Sequence, residues 1–417
     1  MRGRKIVAAT AIGLSTALLA ACGGDDSDDA ADDGTVSGSV SMWIYPVIAD
    51  DATHQAFWDE KVAAFAEEFP DVDVSVEIFP WAERDQALTT AIAGNSAPDV
   101  VYLIPDQLPG YARNLEPVDD YLSDEAKDDY LDNAVESVSI DGQMMGAPIL
   151  SSVIPLVCNK QVFDAVGVTE YPSTWDDILE LGPTFKDAGY YVTTYGGDVA
   201  GSLNLSFYPL LWQAGGDVYN DDGTEVAFNS DEGVRALEFV QQLVENGFVP
   251  EDRLITEPPI EQTQFAQGRV ACTMHVEPQH LTAFWGEENT VVLPPLTESE
   301  QVAYGTVGSL SMLSSAEDKD AAGAWIEFAT GAESAAEYDT EGSFFTTKES
   351  VGALYEGDPI FGESEKYTGL ATVGPLVESA REVMGVLAPE IQSVLIGEKE
   401  PQQALDDAAE AAQPLLG

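Results

Sequence analysis

The sequence predicts an α/β chain of two lobes, each a mixed sheet flanked by helices. Three observations carry this. At 417 residues the chain is longer than one ordinary hydrophobic core serves, so two domains are expected. Strand and helix signals alternate on both sides of a single interruption, Asp141 to Lys160. That interruption cannot be helical: Pro148 and Pro155 lack amide donors and push their preceding residues towards extended backbone, and Asp141-Gly142 marks a turn. Val153 to Cys158 then forms an apolar run closed by Asn159, the pattern of a strand buried on both faces. The chain turns, runs extended and begins a second sheet, so the stretch reads as a crossing between lobes.

Before the crossing, Val40 to Ile44 is a short strand ending at Tyr45-Pro46. Trp58, Val62, Phe65 and Phe69 then share one stripe of a helix. Val72, Val74, Val76 and Ile78 alternate as in a strand. A helix from about Trp81 to Ala93 stops at Gly94, and Val100 to Ile104 is an apolar strand suited to the middle of a parallel sheet. After the crossing, Thr174 opens a capped helix, Tyr219 to Gly223 reads as a hairpin turn, and Ser230 to Asn246 is an amphipathic helix. A helix is expected around Glu261 to Gln267, followed by a strand from Val270 to Met274. Val291 to Pro295 and Gly305 to Leu313 read as the return across the lobe boundary. Asp318 to Thr330 is helical with Trp325, Ile326 and Ala329 inward. The tail from about Pro375 is helical with a break at Pro389, and Pro401 suits the first position of the last helix.

The N-terminus is a targeting segment. Arg2, Arg4 and Lys5 precede an apolar run from Ile6 to Leu19 that is too short for an ordinary membrane span. Leu19-Ala20-Ala21-Cys22 matches the bacterial lipoprotein cleavage pattern, in which the Cys22 thiol receives a diacylglyceryl group. Gly23 to Gly38 is Gly, Asp, Ser and Ala with almost nothing to bury, an acidic tether. The expected division is residues 1–21 signal peptide, 22–38 tether, 39–147 with 302–345 one lobe, and 148–301 with 346–417 the other.

Charge excludes several classes. Seventy-four acidic against 17 basic residues give a formal net charge of −57, which excludes a general nucleic-acid binder and argues against adhesion to anionic lipid. The acidic excess reads as solubility for an exported protein; attraction of a cationic ligand is the alternative. No Gly-x-Ser-x-Gly elbow, His-Glu-x-x-His motif or phosphate-binding loop appears. His275 and His280 lack a third patterned metal ligand, so neither a metal nor another cofactor is expected. Cys158 and Cys272 both fall in predicted buried strands, where two free thiols are expected, although export would permit a disulfide.

Ala93-Gly94-Asn95-Ser96-Ala97-Pro98-Asp99-Val100-Val101 resembles the "a-x-G-x-x-P-D-v-v" segment of family 1 extracellular solute-binding proteins, the maltose-binding protein group of ABC importers. Four further segments fall in the family's order. Gly146-Ala147-Pro148 with Leu156 to Lys160 is similar to its crossover, and Tyr171 to Asp177 to its "P-x-T-W-d-e". Gln213 to Gly216 and Phe265 to Ala271 resemble its "n-G-G" and "f-x-x-G-k-a-A". The resemblance covers the chain from about Ser39. It implies the two-lobed periplasmic-binding-protein type II fold with hinge crossovers, and a monomer that captures a small-molecule solute, a sugar or oligosaccharide, for the transmembrane subunits of an ABC permease. With Cys22 lipidated, the chain would be anchored on the outer face of the cell membrane. No enzymatic activity is implied. An exported hydrolase, or a binder of a non-sugar or cationic solute, stands as the alternative.

Candidate ligand residues follow from strand ends and from the resemblance. In open α/β sheets ligands sit beyond the carboxyl ends of strands, which places Tyr45, Asp106, Gln107 and Glu277 at the cleft. Asp106 stands where maltose-binding members carry a sugar-binding Asp. Sugar sites need flat aromatic faces and planar polar groups: Tyr45, Trp81, Tyr208 and Trp212 supply the first, and Asp106, Gln107, Asn204, Glu277 and Gln279 the second. Ser152 stands where those members carry an acid, Leu103 where they carry an aromatic, and Pro278 where they carry a stacking Trp. These departures argue against maltodextrin in particular.

Overall fold

The computed structural model describes residues 36–48, 50–80, 84–199, 203–220, 222–256 and 258–416. The signal peptide, Cys22, most of the acidic tether and Trp81 lie outside the described residues.

The first sheet is built from β1 (Gly38–Ile44), β2 (Val72–Ile78), β3 (Val100–Leu103), β4 (Leu115–Glu116) and β5 (Ala147–Ser151), with α1 (Asp51–Glu68) and α2 (Arg84–Ala93) between its first strands. β1 pairs in parallel with both β2 and β3. The Pro-Asp motif has a local cause. Asp99 accepts hydrogen bonds from the Ser41 amide (2.8 Å) and hydroxyl (2.7 Å), which ties the start of β3 to the middle of β1. α1 is capped by Asp50, whose carboxylate accepts from the Thr53 amide at 2.8 Å. Its Trp58 and Phe65 are fully buried, as the periodicity predicts, while Val62 and Phe69 are half-buried.

The chain then passes into β6 (Leu156–Asn159), α3 (Trp175–Asp187), α4 (Phe207–Gln213), α5 (Asp231–Glu245), β7 (Cys272–Thr273), α6 (Pro278–Trp285) and β8 (Thr290–Leu293). The strands form a second sheet in the order β8-β6-β7. α3 starts with a capping box between Thr174 and Asp177, and its Trp175 stacks on Phe239 of α5 at 4.5 Å between centroids.

β9 (Ala303–Tyr304) leads back into β10 (Val307–Leu313), a wholly buried strand at the centre of the first sheet, where it pairs with β3, β4 and β5. α7 (Lys319–Ala329) and α8 (Ala332–Gly342) pack on that lobe; β11 (Ala371–Thr372), α9 (Ala380–Leu395) and α10 (Pro401–Ala412) complete the chain. Three segments lie side by side between the sheets. The Ser152 amide bonds to the Thr306 carbonyl (2.8 Å), Ile154 to Tyr304 (2.9 Å), and Gly305 to Thr372 (3.2 Å). The β5–β10 pairing carries the first lobe to Ser151 rather than Ala147. Contacts such as the Leu131 amide to the Thr347 carbonyl (2.9 Å) hold the stretch after Phe345 beside the first lobe.

Four local expectations differ from the structure. The stretch 261–267 is not a helix but a 3-10 turn at Ile260–Gln262, because the Thr263 hydroxyl takes the Ile260 carbonyl (2.6 Å) that a helix amide would need. Val291 to Leu293 stays in the second sheet against β6, so only β9 and β10 make the return. α9 runs through Pro389 without ending, since Val383, Leu387, Ile391 and Val394 keep one buried face on both sides of it. Cys158 and Cys272 are not free thiols. They are directly opposed across the antiparallel β6–β7 pair and joined by a disulfide, a register that spacing along the chain does not reveal.

Candidate functional site

A crevice lies where the two lobes and the crossing segments meet. Its walls come from Pro105 and Asp106 just beyond β3, from Asn204, Tyr208, Trp212 and Tyr219 of the second lobe, from Tyr304 and Thr306 of the return crossing, and from residues 373–384 leading into α9. The free room between these walls is small, about 30 Å³, so they stand close together.

Local sequence explains how each side chain arrives. β3 is apolar throughout and ends at Leu103, so the Pro105-Asp106 turn emerges at its carboxyl end. α4 is buried on every side, which sets Tyr208 and Trp212 one turn apart on the crevice side, ring centroids 6.0 Å apart. Gly374 has φ +73°, and a Cβ there would come within 2.7 Å of the Trp212 ring, so glycine lets the backbone pass beside the indole.

The polar atoms of the crevice are unevenly satisfied. Asp106 Oδ2 accepts from Arg381 Nη2 at 2.9 Å, whereas its Oδ1 is buried with no partner among the described residues. The hydroxyls of Tyr208 and Tyr219 are likewise buried and unpartnered. Burial raises the pKa of both phenols above the ordinary tyrosine value, so they are neutral and able to donate. Burial, then the neighbouring Asp106 carboxylate, pushes Tyr304 up to about 12. Three buried polar atoms with unused hydrogen-bonding capacity face one narrow space. Leaving each unmade costs on the order of 1–3 kcal/mol, so the arrangement suits a guest rich in hydroxyl groups.

Of the residues singled out from sequence, Asp106, Asn204, Tyr208 and Trp212 come together here. Trp81 lies outside the described residues, and the other candidates do not line this space. Tyr45 is fully buried in the first core, edge-on to Tyr102 at 6.3 Å. Gln107 is spent on local structure: its amide nitrogen donates to Asp85 at 2.6 Å and its oxygen accepts from the Ile104 amide at 3.2 Å. The Ser152 hydroxyl accepts from the Thr306 amide (3.2 Å) and braces the crossing. Glu277, the residue before α6, lies 3.1 Å from His280 Nδ1, and Gln279 is half-buried on the same helix. Burial, the largest single effect, raises the Glu277 pKa, but the bond to His280, a backbone hydrogen bond and the His280 charge together leave the carboxyl below its usual value, while the same bond raises His280. Glu277 also acts electrostatically on Tyr304, so it stands near the crevice without walling it. His275 is buried, with Nδ1 2.7 Å from the Leu205 carbonyl, and burial lowers it to about 4. It is a core residue.

Sequence reasoning missed Tyr219, Tyr304, Thr306 and Arg381. Tyr304 and Thr306 stood within the return crossing, and crossings between lobes necessarily border the space between them. Arg381 carried its own signal: a cation in the first turn of a helix sits against the helix dipole, and so calls for a tertiary partner.

Comparison with known proteins agrees with this architecture. The family model described as bacterial extracellular solute-binding protein matches residues 50–336. A putative binding protein of Brucella abortus (strain 2308) is 24% identical over 382 residues, covering 86% of this chain and 90% of that protein. The galactooligosaccharide-binding protein of Bacillus subtilis (strain 168) is 23% identical over 429 residues, covering 95% and 93%. The crystal structure of the cyclic alpha-maltosyl-1,6-maltose binding protein from Arthrobacter globiformis superposes with a TM-score of 0.79 at 22% identity, over 91% of this chain and 99% of that one. The two-lobed α/β fold, with mixed sheets flanked by helices, is that of these binding proteins, and the family model spans well over half of the sequence. The chain belongs to the bacterial extracellular solute-binding protein family and is a binding protein, not an enzyme.

Proposed function

We propose that this protein captures a sugar or oligosaccharide in the crevice between its lobes and delivers it to the transmembrane subunits of an ABC importer. The observation that carries the reading is the trio Asp106 Oδ1, Tyr208 Oη and Tyr219 Oη, buried and without partners among the described residues, around one space that Trp212 also lines. Hydroxyl-rich rings offer both the polar partners and the apolar face that this wall requires. Relatives support the class: matched proteins are described as binding galactooligosaccharide and diacetylchitobiose, the latter in Streptomyces coelicolor at 28% identity over 231 residues. Asp106 comes from the first lobe and the tyrosines from the second, so a solute held by all three ties the lobes together.

A thermal-shift screen of the chain from Val36 onward tests the reading. A solute held only by the folded protein raises Tm by mass action. Mono- and oligosaccharides are expected to raise it and amino acids and polyamines are not; the reverse pattern would overturn the sugar assignment. Recovery of a chemically altered sugar would restore the hydrolase alternative.

The same proposal includes an anchor. Cys22 in the Leu19-Ala20-Ala21-Cys22 pattern would carry the lipid, with the tether holding the binding lobes off the membrane. No helix among the described residues is long and apolar enough to cross a membrane. Cys22→Ser is expected to shed the protein into the medium, because each buried methylene of a lipid chain contributes about 0.8 kcal/mol to retention. Unchanged membrane retention of that variant would remove the anchor from the proposal.

A further inference from the structure

Arg381 occupies a distinctive position. It projects from the first turn of α9 in the second lobe, and its guanidinium bridges two carboxylates of the first lobe: Nη1 lies 3.1 Å from Asp85 Oδ2 and Nη2 lies 2.9 Å from Asp106 Oδ2. The two acids come from separate segments, the start of α2 and the turn after β3, and Gln107 holds Asp85 in place from behind at 2.6 Å. Arg84 Nε lies 3.9 Å from the Asp85 oxygen that Arg381 uses. The planar fork of an arginine suits two acceptors in this arrangement, whereas a lysine presents a single point charge.

The helix does not account for this residue. A cation in the first turn opposes the helix dipole. Nor is it a chance product of composition, since the chain holds only 17 basic residues against 74 acidic ones. A field of that sign draws cations towards any concave acidic site, and a cleft presenting Asp85 and Asp106 together would fill with one.

We propose that Arg381 is a specificity-determining residue: a cation built into the cleft, which fills the place between Asp85 and Asp106 that a positively charged solute would otherwise take, and so restricts the crevice to uncharged, hydroxyl-bearing solutes. The same bond fixes the Asp106 carboxylate. With Oδ2 held by the guanidinium, Oδ1 is left buried and unpartnered at the crevice wall, where it can accept from a hydroxyl. The inference rests on the sugar-binding reading of this crevice and adds which solutes it turns away.

The deciding experiment needs no knowledge of the natural solute. Arg381→Ala removes a half-exposed side chain and is expected to fold. Methylguanidinium at millimolar concentration should raise the Tm of this variant saturably, by about 2 °C or more, lose the effect at high salt, and leave the wild-type Tm unchanged. In Arg381→Ala with Asp106→Asn the rise should disappear. A matched pair of sugars reads specificity directly. Arg381→Ala should shift the affinity ratio of chitobiose, with its free amines charged at pH 6, over neutral N,N′-diacetylchitobiose by at least about tenfold relative to wild type. Arg381→Lys should lie between the two proteins. Equal response of wild type and Arg381→Ala to methylguanidinium, or a rise that survives Asp106→Asn, overturns the proposal. Methylguanidinium binding as expected, with no sugar bound by any variant, would leave the Arg381 assignment standing and instead remove the sugar reading.

Discussion

At the scale of single residues, the crevice is defined by polar atoms whose partners are not in the chain. The Tyr208 and Tyr219 hydroxyls are buried with no hydrogen-bond partner among the described residues, so each contributes little to the fold and is available to a solute's acceptor or donor. Tyr208→Phe and Tyr219→Phe are therefore expected to leave the solute-free Tm equal or higher while weakening solute binding roughly 2- to 12-fold each, the equivalent of about 0.5–1.5 kcal/mol. Calorimetry on a solute identified by thermal shift measures the second effect. A fall in solute-free Tm with unchanged affinity would make both tyrosines ordinary core residues.

Asp339 of α8 shows the same imbalance away from the crevice. It is fully buried, and neither carboxylate oxygen has a partner among the described residues. Burial first, and Glu365 second, hold its pKa well above the usual 3.8. The sign follows from proton counting. The folded protein keeps this proton while the unfolded chain gives it up above about pH 4, so stability falls as pH rises, by up to about 1.4 kcal/mol per pH unit. Asp339→Asn is expected to raise Tm at pH 8 by more than at pH 5. A Tm difference independent of pH would show that Asp339 is ionised inside the fold. The buried imidazole of His54 acts in the opposite direction: burial lowers it to about 4, so its stabilisation is lost as pH falls through the range between its usual 6.5 and that value.

At the scale of elements, the second sheet is short and cross-linked. β7 has two residues, yet it is covalently joined to β6 through Cys158–Cys272, which closes a segment of 114 residues. Loop-closure entropy assigns a bond of that span about 5 kcal/mol. Replacing both cysteines by serine should lower Tm under non-reducing conditions, whereas reductant added to the folded wild type should act slowly, because both cysteines are fully buried. Equal melting of the double variant and the wild type would mean that the bond does not form in solution. The elements of the first lobe, by contrast, were legible one by one. α1, β2 and β3 follow from apolar periodicity and turn residues that act within a few positions. β10 was also visible as an apolar run, but its place at the centre of the first sheet was not. Its partners, β3 and β5, lie more than 150 residues earlier in the chain.

At the scale of the whole molecule, three adjacent crossing segments join lobes with separate hydrophobic cores. Such a connection lets rigid cores rotate about a few strands, and a solute drives closure only by its differential affinity for the closed form. Small-angle scattering of the chain without its tether should give a smaller radius of gyration at saturating solute than without it. Superimposable curves alongside tight binding by calorimetry would rule out hinge closure. Arg381 also spans the lobes, so high ionic strength, which screens that contact, should weaken the closed form.

The sequence by itself determined the alternation of strands and helices, the existence of a crossing, the family resemblance and four residues of the crevice wall. Those features are local: a proline removes a donor, a glycine ends a helix, and a conserved-looking motif is read from neighbouring residues. Asp106 was legible because it follows an apolar strand, and Tyr208 with Trp212 because a sugar site calls for aromatic faces. The tertiary structure alone decided that Gln107 serves Asp85, that Tyr45 belongs to a core, that two cysteines form a bond, and that Arg381 reaches Asp106 across 275 positions of sequence. Each of these depends on which surfaces meet when the lobes pack, and side-chain chemistry along the chain does not encode that pairing until the fold has brought the partners within hydrogen-bonding distance.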